Sequence, residues 1–444
     1  MTVLDFSKRV VELAMKLGAD EVDSYSSLSK SFSLQGTEES SGFSDRSART
    51  EISRGLGVRI VVGKSVSYSY TTSLDENGIE KVVRRAIDLA RAKEKDPEFR
   101  GLPEPKGITK VEGIFDERIE DPPLEEGVQL IDGVLAESME KGLKSSNSFL
   151  SFGLKEVGIS SSSGIDVEFK ESFVQQGVYL LSEKGGVTSL GSSFSEGREV
   201  QLKLEECMEE ALEYSEAGLK VEKINGGDWT IVFHPDALAP LMEYGFSQAI
   251  DSYNVQEGKS YLSGKIGERV ASEDLEITDM GDMSSGLRTR PVDGEGVPTR
   301  STEVIKDGVL LNYLYDSYTS AKENKESTGN ATRDFRSPVK VAPTNLVLRG
   351  EESKSPLEEI ERGLLVKGVM GAHSTNIATG AFSVSANPAY LIENGEIKGQ
   401  VRGCMIAGTF EELLRKYSFQ GGEVIQRGFL VAPLVVFEGV KVSV

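Results

Sequence analysis

Two histidines and two cysteines are the only imidazole and thiol ligands that 444 residues offer a transition metal: His234, His373, Cys207 and Cys404. A hydrolytic zinc needs three protein ligands and an open position for water. The economical arrangement sets two histidines on one helical face, with a glutamate between them to take the water's proton. His234 and His373 lie far apart in sequence, so no His-pair helix exists in this chain. A site made of His234, His373 and Cys404 would require folding to bring the three together. At its strand-to-helix junction His234 reads first as a helix-start or packing residue. Cys404, in the apolar, strand-like run Gln400–Ile406, reads as a small buried hydrophobe. Cys207 sits in an acidic helix with no activating cation.

Other chemistries find little to work with. Serine is abundant, but no GxSxG occurs, and the adjacency in Ala372-His373-Ser374 carries little weight because a catalytic pair is defined in space. No GxxxxGK[ST] loop is present, and Gly294-Glu295-Gly296 runs into Val297-Pro298-Thr299 rather than completing a dinucleotide fingerprint. The pairs Asp279/Asp282 and Glu393/Glu396 read as solvated turn residues rather than a cation site. Taken residue by residue, the chain is a large scaffold with no self-evident catalytic group.

Charge narrows the partners. Asp and Glu outnumber Lys and Arg by 71 to 50, a formal charge of −21. Such a surface repels a polyanionic backbone, so direct nucleic-acid binding is not expected. Arg84, Arg85, Arg91 and Lys93 are interleaved with apolar residues and read as the solvated face of a helix. No apolar run approaches the roughly 20 residues that span a bilayer, and Met1–Arg9 has no apolar signal core. The expectation is a cytoplasmic protein that does not touch membranes. Two distant cysteines exclude a disulfide framework.

The elements that must position any site alternate in type. Phe6, Val10, Leu13, Ala14 and Leu17 recur at helical spacing, with Asp5 able to cap and Gly18 to stop the helix. Val22–Leu34, Glu51–Val62 and Ser65–Thr72 read as strands, and Glu76–Lys93 as a helix. A polar, proline-bearing link follows (Pro97, Pro103, Pro105, Pro122, Pro123). Helices at Leu124–Lys141 and Val200–Ala217 then bracket strands near Phe149–Ile159, Gly164–Ser182 and Gly186–Phe194. From Asp228 the character changes: a strand to Phe233, a helix over Pro235–Ala249, then glycine-punctuated strands to the end. This predicts an α+β protein, with two N-terminal α/β sheet-and-helix units (1–95 and 110–222) and a large, mainly antiparallel β domain (228–444).

The glycine-rich last domain carries a resemblance. Asp293–Thr299, Ile305–Leu310, Ser327–Arg333, Gly380–Ser383, Ile392–Ile397 and Ile406–Thr409 resemble successive motifs of the TldD/PmbA family. Gly18–Val22 and Gly55–Arg59 are similar to that family's opening, so the likeness runs in order along essentially the whole chain. The resemblance implies that active members carry an HExxxH zinc motif on the helix opening the last domain, and a cysteine ligand near the C-terminus. Here that stretch reads His234-Pro235-Asp236-Ala237-Leu238-Ala239. His234 matches the first ligand, proline stands at the glutamate, alanine at the second histidine, and no cysteine follows Gly408. On this pattern the chain resembles the TldE/PmbA branch, with no catalytic or metal-binding residues of its own and zinc expected in a TldD-type partner. The resemblance further implies a heterodimer with a TldD-type paralogue, or a homodimer, acting on unfolded or extended peptides. Asn330, Arg333, Gly380, Phe382 and Ser383 are the residues expected to line the peptide path, where glycine permits close backbone approach. A homo-oligomeric peptide-binding protein, or a hydrolase with an atypical site at His234, His373 and Cys404, are the alternatives.

Overall fold

The computed structural model describes all 444 residues. Helix α1 (Val3–Lys16) is capped by Thr2 rather than Asp5. The Thr2 hydroxyl accepts the Asp5 N–H at 3.3 Å, and the Asp5 carboxylate accepts the Thr2 N–H at 2.8 Å. This reciprocal pair satisfies two donors that the first turn leaves free. Strands β1 (Glu21–Glu39), β2 (Ser44–Val62) and β3 (Ser65–Thr71) follow, then α2 (Glu76–Ala92). Beyond the proline-bearing link come α3 (Leu124–Glu140), β4 (Ser145–Ser161), β5 (Asp166–Lys184), β6 (Val187–Gly197) and α4 (Leu204–Ala217).

The strands of the two N-terminal units form one sheet, in the order β3-β2-β1-β4-β5-β6. An antiparallel β1–β4 ladder from Asp23↔Ser161 to Glu39↔Ser145 joins them. Side-chain parity explains the layering, because alternate residues of a strand face opposite ways. Even-numbered Val22, Leu34, Leu56, Val58, Ile60, Leu150, Phe152, Val174 and Val178 pack under α1–α4. Odd-numbered Tyr25, Val157 and Ile159 face away from the helices and pack with Ile165, Val292 and Phe335. One face of the sheet therefore holds helices and the other seats the C-terminal domain.

That domain is built on a mixed sheet whose central strand, Leu430–Ser443, lies between Leu346–Arg349 and Gly227–Phe233. Its main core gathers 47 buried residues. Two expectations are corrected here. The helix expected over Pro235–Ala249 is split, with α5 (Pro235–Tyr244) ending before Gly245 and Phe246–Ala249 forming a separate turn. The Phe410 ring lies 1.9 Å from where a β-carbon on Gly245 would be, so the helix bends around that ring. The run Gln400–Ile406 is likewise not one strand. Glu396–Val401 and Met405–Thr409 are separated by a turn at Gly403 (φ 72°), and Cys404 lies buried in that turn.

The sheet and the C-terminal domain meet across buried ion pairs. Asp23 of β1, Arg59 of β2, Glu295 and Arg333 form one network, none more than 7% exposed. Arg59 donates to Asp23 (Nε, 2.9 Å) and to Glu295 (2.6 Å), and Arg333 donates to Asp23 at 2.8 Å. Glu295 also accepts from the Ser317 N–H (2.9 Å) and hydroxyl (2.7 Å). A second set joins Glu171 of β5 to Arg290 at 3.2 Å and to Arg198 at 3.4 Å. Removing one member of such a set strands the other charge in a desolvated place. Asp23→Ala is therefore expected to lower the stability of the chain by about 3–5 kcal/mol in urea unfolding. A change within about 0.5 kcal/mol, the size of an ordinary surface substitution, would contradict this reading of the seam.

Candidate functional site

Strand Gly227–Phe233 runs parallel to Arg362–Val366 with Phe233 opposite Val366, so the residues that follow, His234 and Lys367, emerge side by side. The His234 N–H still donates to the Val366 carbonyl at 2.9 Å, after which the chain turns into α5 with His234 as its N-cap. Pro235 occupies the first helical position, where its missing N–H costs nothing. The His234 ring is buried. Its Nδ1 lies 3.1 Å from the Asp236 amide and 3.2 Å from the Asp236 carboxylate, and its Nε2 is 3.9 Å from Glu210.

Glu210 arrives from α4, across the seam. On the same face of that helix, one turn on, Tyr214 offers its ring 4.1 Å beneath the Lys367 ammonium. Lys367, 4% exposed, donates to Glu210 and lies 3.9 Å from Asp236. Arg427 donates to Asp236 and, at 2.7 Å, to the Phe194 carbonyl of β6. With a neutral imidazole, two carboxylates balance two cations. Burial raises the Glu210 carboxyl, but the adjacent Lys367 outweighs this and holds it below its ordinary value. Asp236 is held down in the same way, with the adjacent His234 ring, Arg427 and Lys367 overcoming its burial. Burial keeps the His234 imidazole below its ordinary value.

The three candidate ligands of an atypical site are not brought together. His373 is exposed and packs edge-on against Tyr244 (6.3 Å between centroids), at the opposite end of α5 from His234. Ten residues of α-helix rise about 15 Å. Cys404 belongs to the core, and burial pushes its thiol up to about 11, far from the thiolate a metal needs. Cys207 is pushed up to about 11 as well. No cluster of three His, Cys, Asp or Glu side chains suited to a metal occurs in the chain. Asp279 points inward, bonded to Asn330 (2.7 Å) and Thr344 (2.9 Å).

The expected peptide-lining residues fall in two places. Asn330 and Arg333 are buried at the seam. Asn330 donates to Asp279 and to the Ala342 carbonyl, while Arg333 donates to Asp23 and, at 2.7 Å, to the Gly294 carbonyl. Gly380 (φ 71°) turns the chain into strand Ala381–Ala386, with the Tyr261 ring 3.1 Å from where its β-carbon would sit. Phe382 is buried against Phe410, and Ser383 is exposed. This strand pairs with Met405–Thr409 along Ala381–Ser385, whereas on its other side only Ser385 and Ala386 have ladder partners, and Ala381 a single bridge. Phe382–Val384 thus present a backbone edge.

Comparison with known proteins bears on what such an arrangement belongs to. A family model for the PmbA/TldA metallopeptidase C-terminal domain matches residues 226–444, and one for domain 1 of the same metallopeptidases matches 46–90. The uncharacterised protein MJ0231 of Methanocaldococcus jannaschii is 33% identical over 402 residues, covering 90% of this chain and 91% of its own. This chain belongs to the TldD/PmbA family. The metalloprotease TldD homolog of Haemophilus influenzae is 25% identical over 395 residues, 83% of this chain and 79% of its own. The crystal structure of TldE from Thermococcus kodakarensis superposes with a TM-score of 0.88 at 26% identity, covering 99% of this chain and all of that one.

Within the TldD/PmbA fold, sequence reasoning located His234, Pro235 and Ala239 but missed Glu210, Lys367 and Arg427. Nothing in their local sequence signals them, because they come from one helix and two strands that only folding brings to His234. The set makes a prediction about pH. A folded pKa below the unfolded value near 6.5 means that the His234 contribution to stability is complete above that pH and is lost as pH falls. Lys367→Met removes a cation that disfavours the imidazolium, so the His234 ring resonances are expected to titrate at a higher pH than in the parent chain. An unchanged titration, with His234→Asn used to assign the signal, would show that Lys367 does not act on the ring.

Proposed function

We propose that this chain is the non-catalytic subunit of a two-subunit zinc peptidase, completed by a TldD-type paralogue carrying HExxxH, and that it acts on unfolded or extended peptides in the cytoplasm. The observation that carries the reading is Lys367. Beside the position matching the family's first zinc ligand, a buried ammonium neutralises Glu210 and Arg427 neutralises Asp236, while Pro235 supplies no base and Ala239 no imidazole. A dication here would add two charges to a set that is already balanced and largely buried at His234, Asp236 and Lys367. The residues present therefore do not fit a zinc, and no hydrolytic step is routed through them.

The remaining role is to shape a shared substrate path. Strand Ala381–Ala386 offers the open edge that an extended peptide needs, and backbone pairing is largely indifferent to sequence. Gly380 sets the turn into that edge, Phe382 anchors it to the core and Ser383 faces outward. Asn330 and Arg333, at the seam, hold the loop that joins the C-terminal domain to the six-stranded sheet. The partner is the paralogue or, failing that, a second copy of this chain, and the excess negative charge argues against nucleic acid as a ligand.

Co-expression with an HExxxH-bearing paralogue tests the reading. The expected outcome is a stable complex with about one zinc per pair, following the single three-ligand site, and peptide cleavage that is abolished by chelation. The chain alone is expected to hold no stoichiometric zinc and to cleave nothing. Stoichiometric zinc and chelator-sensitive cleavage by the chain alone would overturn the proposal. Self-association with peptide binding, but no capture of the paralogue, would favour the homo-oligomeric binding protein instead.

A further inference from the structure

A cavity of about 480 Å³ stands at the margin of the seam, between β1, β4 and β5 on one side and the runs 287–292 and 329–332 on the other. Burial along β1 places that margin. Tyr25 and Ser27 are buried beneath the C-terminal domain, whereas Ser29, which lines the cavity, and Ser31 and Ser33 beyond it are partly exposed. The cavity is therefore where the sheet emerges from under the domain, and the strand leading out of it is uncharged on this face. Asn330, expected on the peptide path, lines it as well.

Four cations line this cavity, Lys155, Arg198, Arg288 and Arg290, against two carboxylates, Glu171 and Asp293. Asp293 is spent on backbone, accepting from the N–H groups of Glu295 (2.8 Å), Val297 (3.0 Å) and Ala331 (3.1 Å). Glu171 is shared three ways. Arg290 grips it with Nε (3.2 Å) and Nη2 (3.4 Å), Arg198 reaches it at 3.4 Å, and the Lys155 ammonium stands off at 3.7 Å. Arg198 spends its other donors on the carbonyls of Gly286 and Ser172. Lys155 Nζ and Arg290 Nη1 are left without a hydrogen bond, and the Arg288 guanidinium has neither hydrogen bond nor ion pair, only the Phe429 ring 5.5 Å away. These free nitrogens keep solvent-accessible surface, and the Lys155 and Arg290 side chains remain 22% and 25% exposed. Between the two arginines Thr289 turns away to the Met283 carbonyl (2.6 Å), so Arg288 and Arg290 face one cavity together. Burial and the neighbouring Arg290 charge push the Arg288 guanidinium below its ordinary value, and the carboxylates that act on it, Glu243, Asp279 and Glu196, make no ion-pair contact. In a chain of net charge −21 this is a local reversal of field.

We propose that this cavity takes the carboxylate of an extended peptide, either its C-terminus or an acidic side chain, between Arg288 and Arg290, with Lys155 adding to the field. A guanidinium fork matches the two oxygens of a carboxylate, and the incoming group would stand to Arg288 as Glu171 stands to Arg290. The choice of a peptide as carrier rests on the peptidase reading; the surplus of cations does not. The role goes beyond that reading, because backbone pairing along an edge is largely indifferent to sequence, whereas this cavity makes the chain prefer peptides that bring a negative charge to it.

Calorimetric titration of the purified chain at low ionic strength tests it with three probes: acetyl-trialanine as the free acid, acetyl-Ala-Glu-Ala amide and acetyl-Ala-Gln-Ala amide. Saturable binding of one or both acids is expected at about 1 mM or tighter, with the Gln peptide at least about tenfold weaker. The free acid alone would identify a peptide C-terminus, and the Glu peptide alone an acidic side chain. Arg288→Gln breaks no ion pair, so the melting temperature is expected to hold while affinity for the acid falls about tenfold, as for one lost hydrogen bond to a charged group. Lys155→Gln, which leaves Glu171 to Arg198 and Arg290, is expected to weaken binding about threefold. Arg85→Gln, at an exposed arginine of α2 outside the cavity, controls for net charge and is expected to leave affinity unchanged. The proposal is overturned if neither acid binds up to about 20 mM, if the Gln peptide binds as tightly as the acids, or if Arg288→Gln does no more than Arg85→Gln. None of these failures touches the peptidase reading, which is judged on zinc content and cleavage with the paralogue.

Discussion

A buried guanidinium cannot lose its proton, so wherever Arg59 and Arg333 are taken out of water they must meet carboxylates, and the chain must arrange itself to supply them. Asp23 and Glu295 do so from opposite sides of the seam, one on the first strand and one in a C-terminal turn. A second charge set, around Glu171, repeats the arrangement on the same face, and a third, around Lys367, joins α4 to the C-terminal domain. Apolar surfaces can slide over one another at little cost, whereas a misregistered ion pair leaves charges desolvated and unpaired. The seam therefore fixes how the six-stranded sheet sits on the C-terminal domain, more than it adds net stability.

The sheet is suited to that role because its two faces are chemically unlike. Alternation puts Val22, Leu34 and Leu150 under the helices. It leaves Tyr25 and the glycines of Gly55-Leu56-Gly57 on the far side, where the Phe335 loop presses against the bare backbone. One strand thus carries an aliphatic face for its own helices and a polar, glycine-thinned face for its neighbour. The motifs by which the chain resembles its family converge here: Arg59, Glu295 and Arg333 come from three of them.

At His234 the same economy takes another form. Here the positive charge comes from an ammonium and a guanidinium, each hydrogen-bonded to a carboxylate, and the imidazole caps a helix. Glu210 and Tyr214 tie this corner to α4, so the start of α5 helps to hold the two halves of the molecule together.

Period-two and helical patterns made the helices, most strands and the α+β class legible in the sequence, because those patterns report local geometry and burial. The scarcity of histidine and cysteine, and the identities of Pro235 and Ala239, were equally plain, since composition needs no structure to be read. What the sequence left open was every relation across long separations. The splitting of the helix at Gly245 depended on Phe410, and the turn at Gly403 on how two strands pack. The partners cited for Arg333, Glu210 and Lys367 lie from 24 to 310 residues away. Charges and orphan donors are placed by the packing of whole faces, and only the folded chain decides which of them meet.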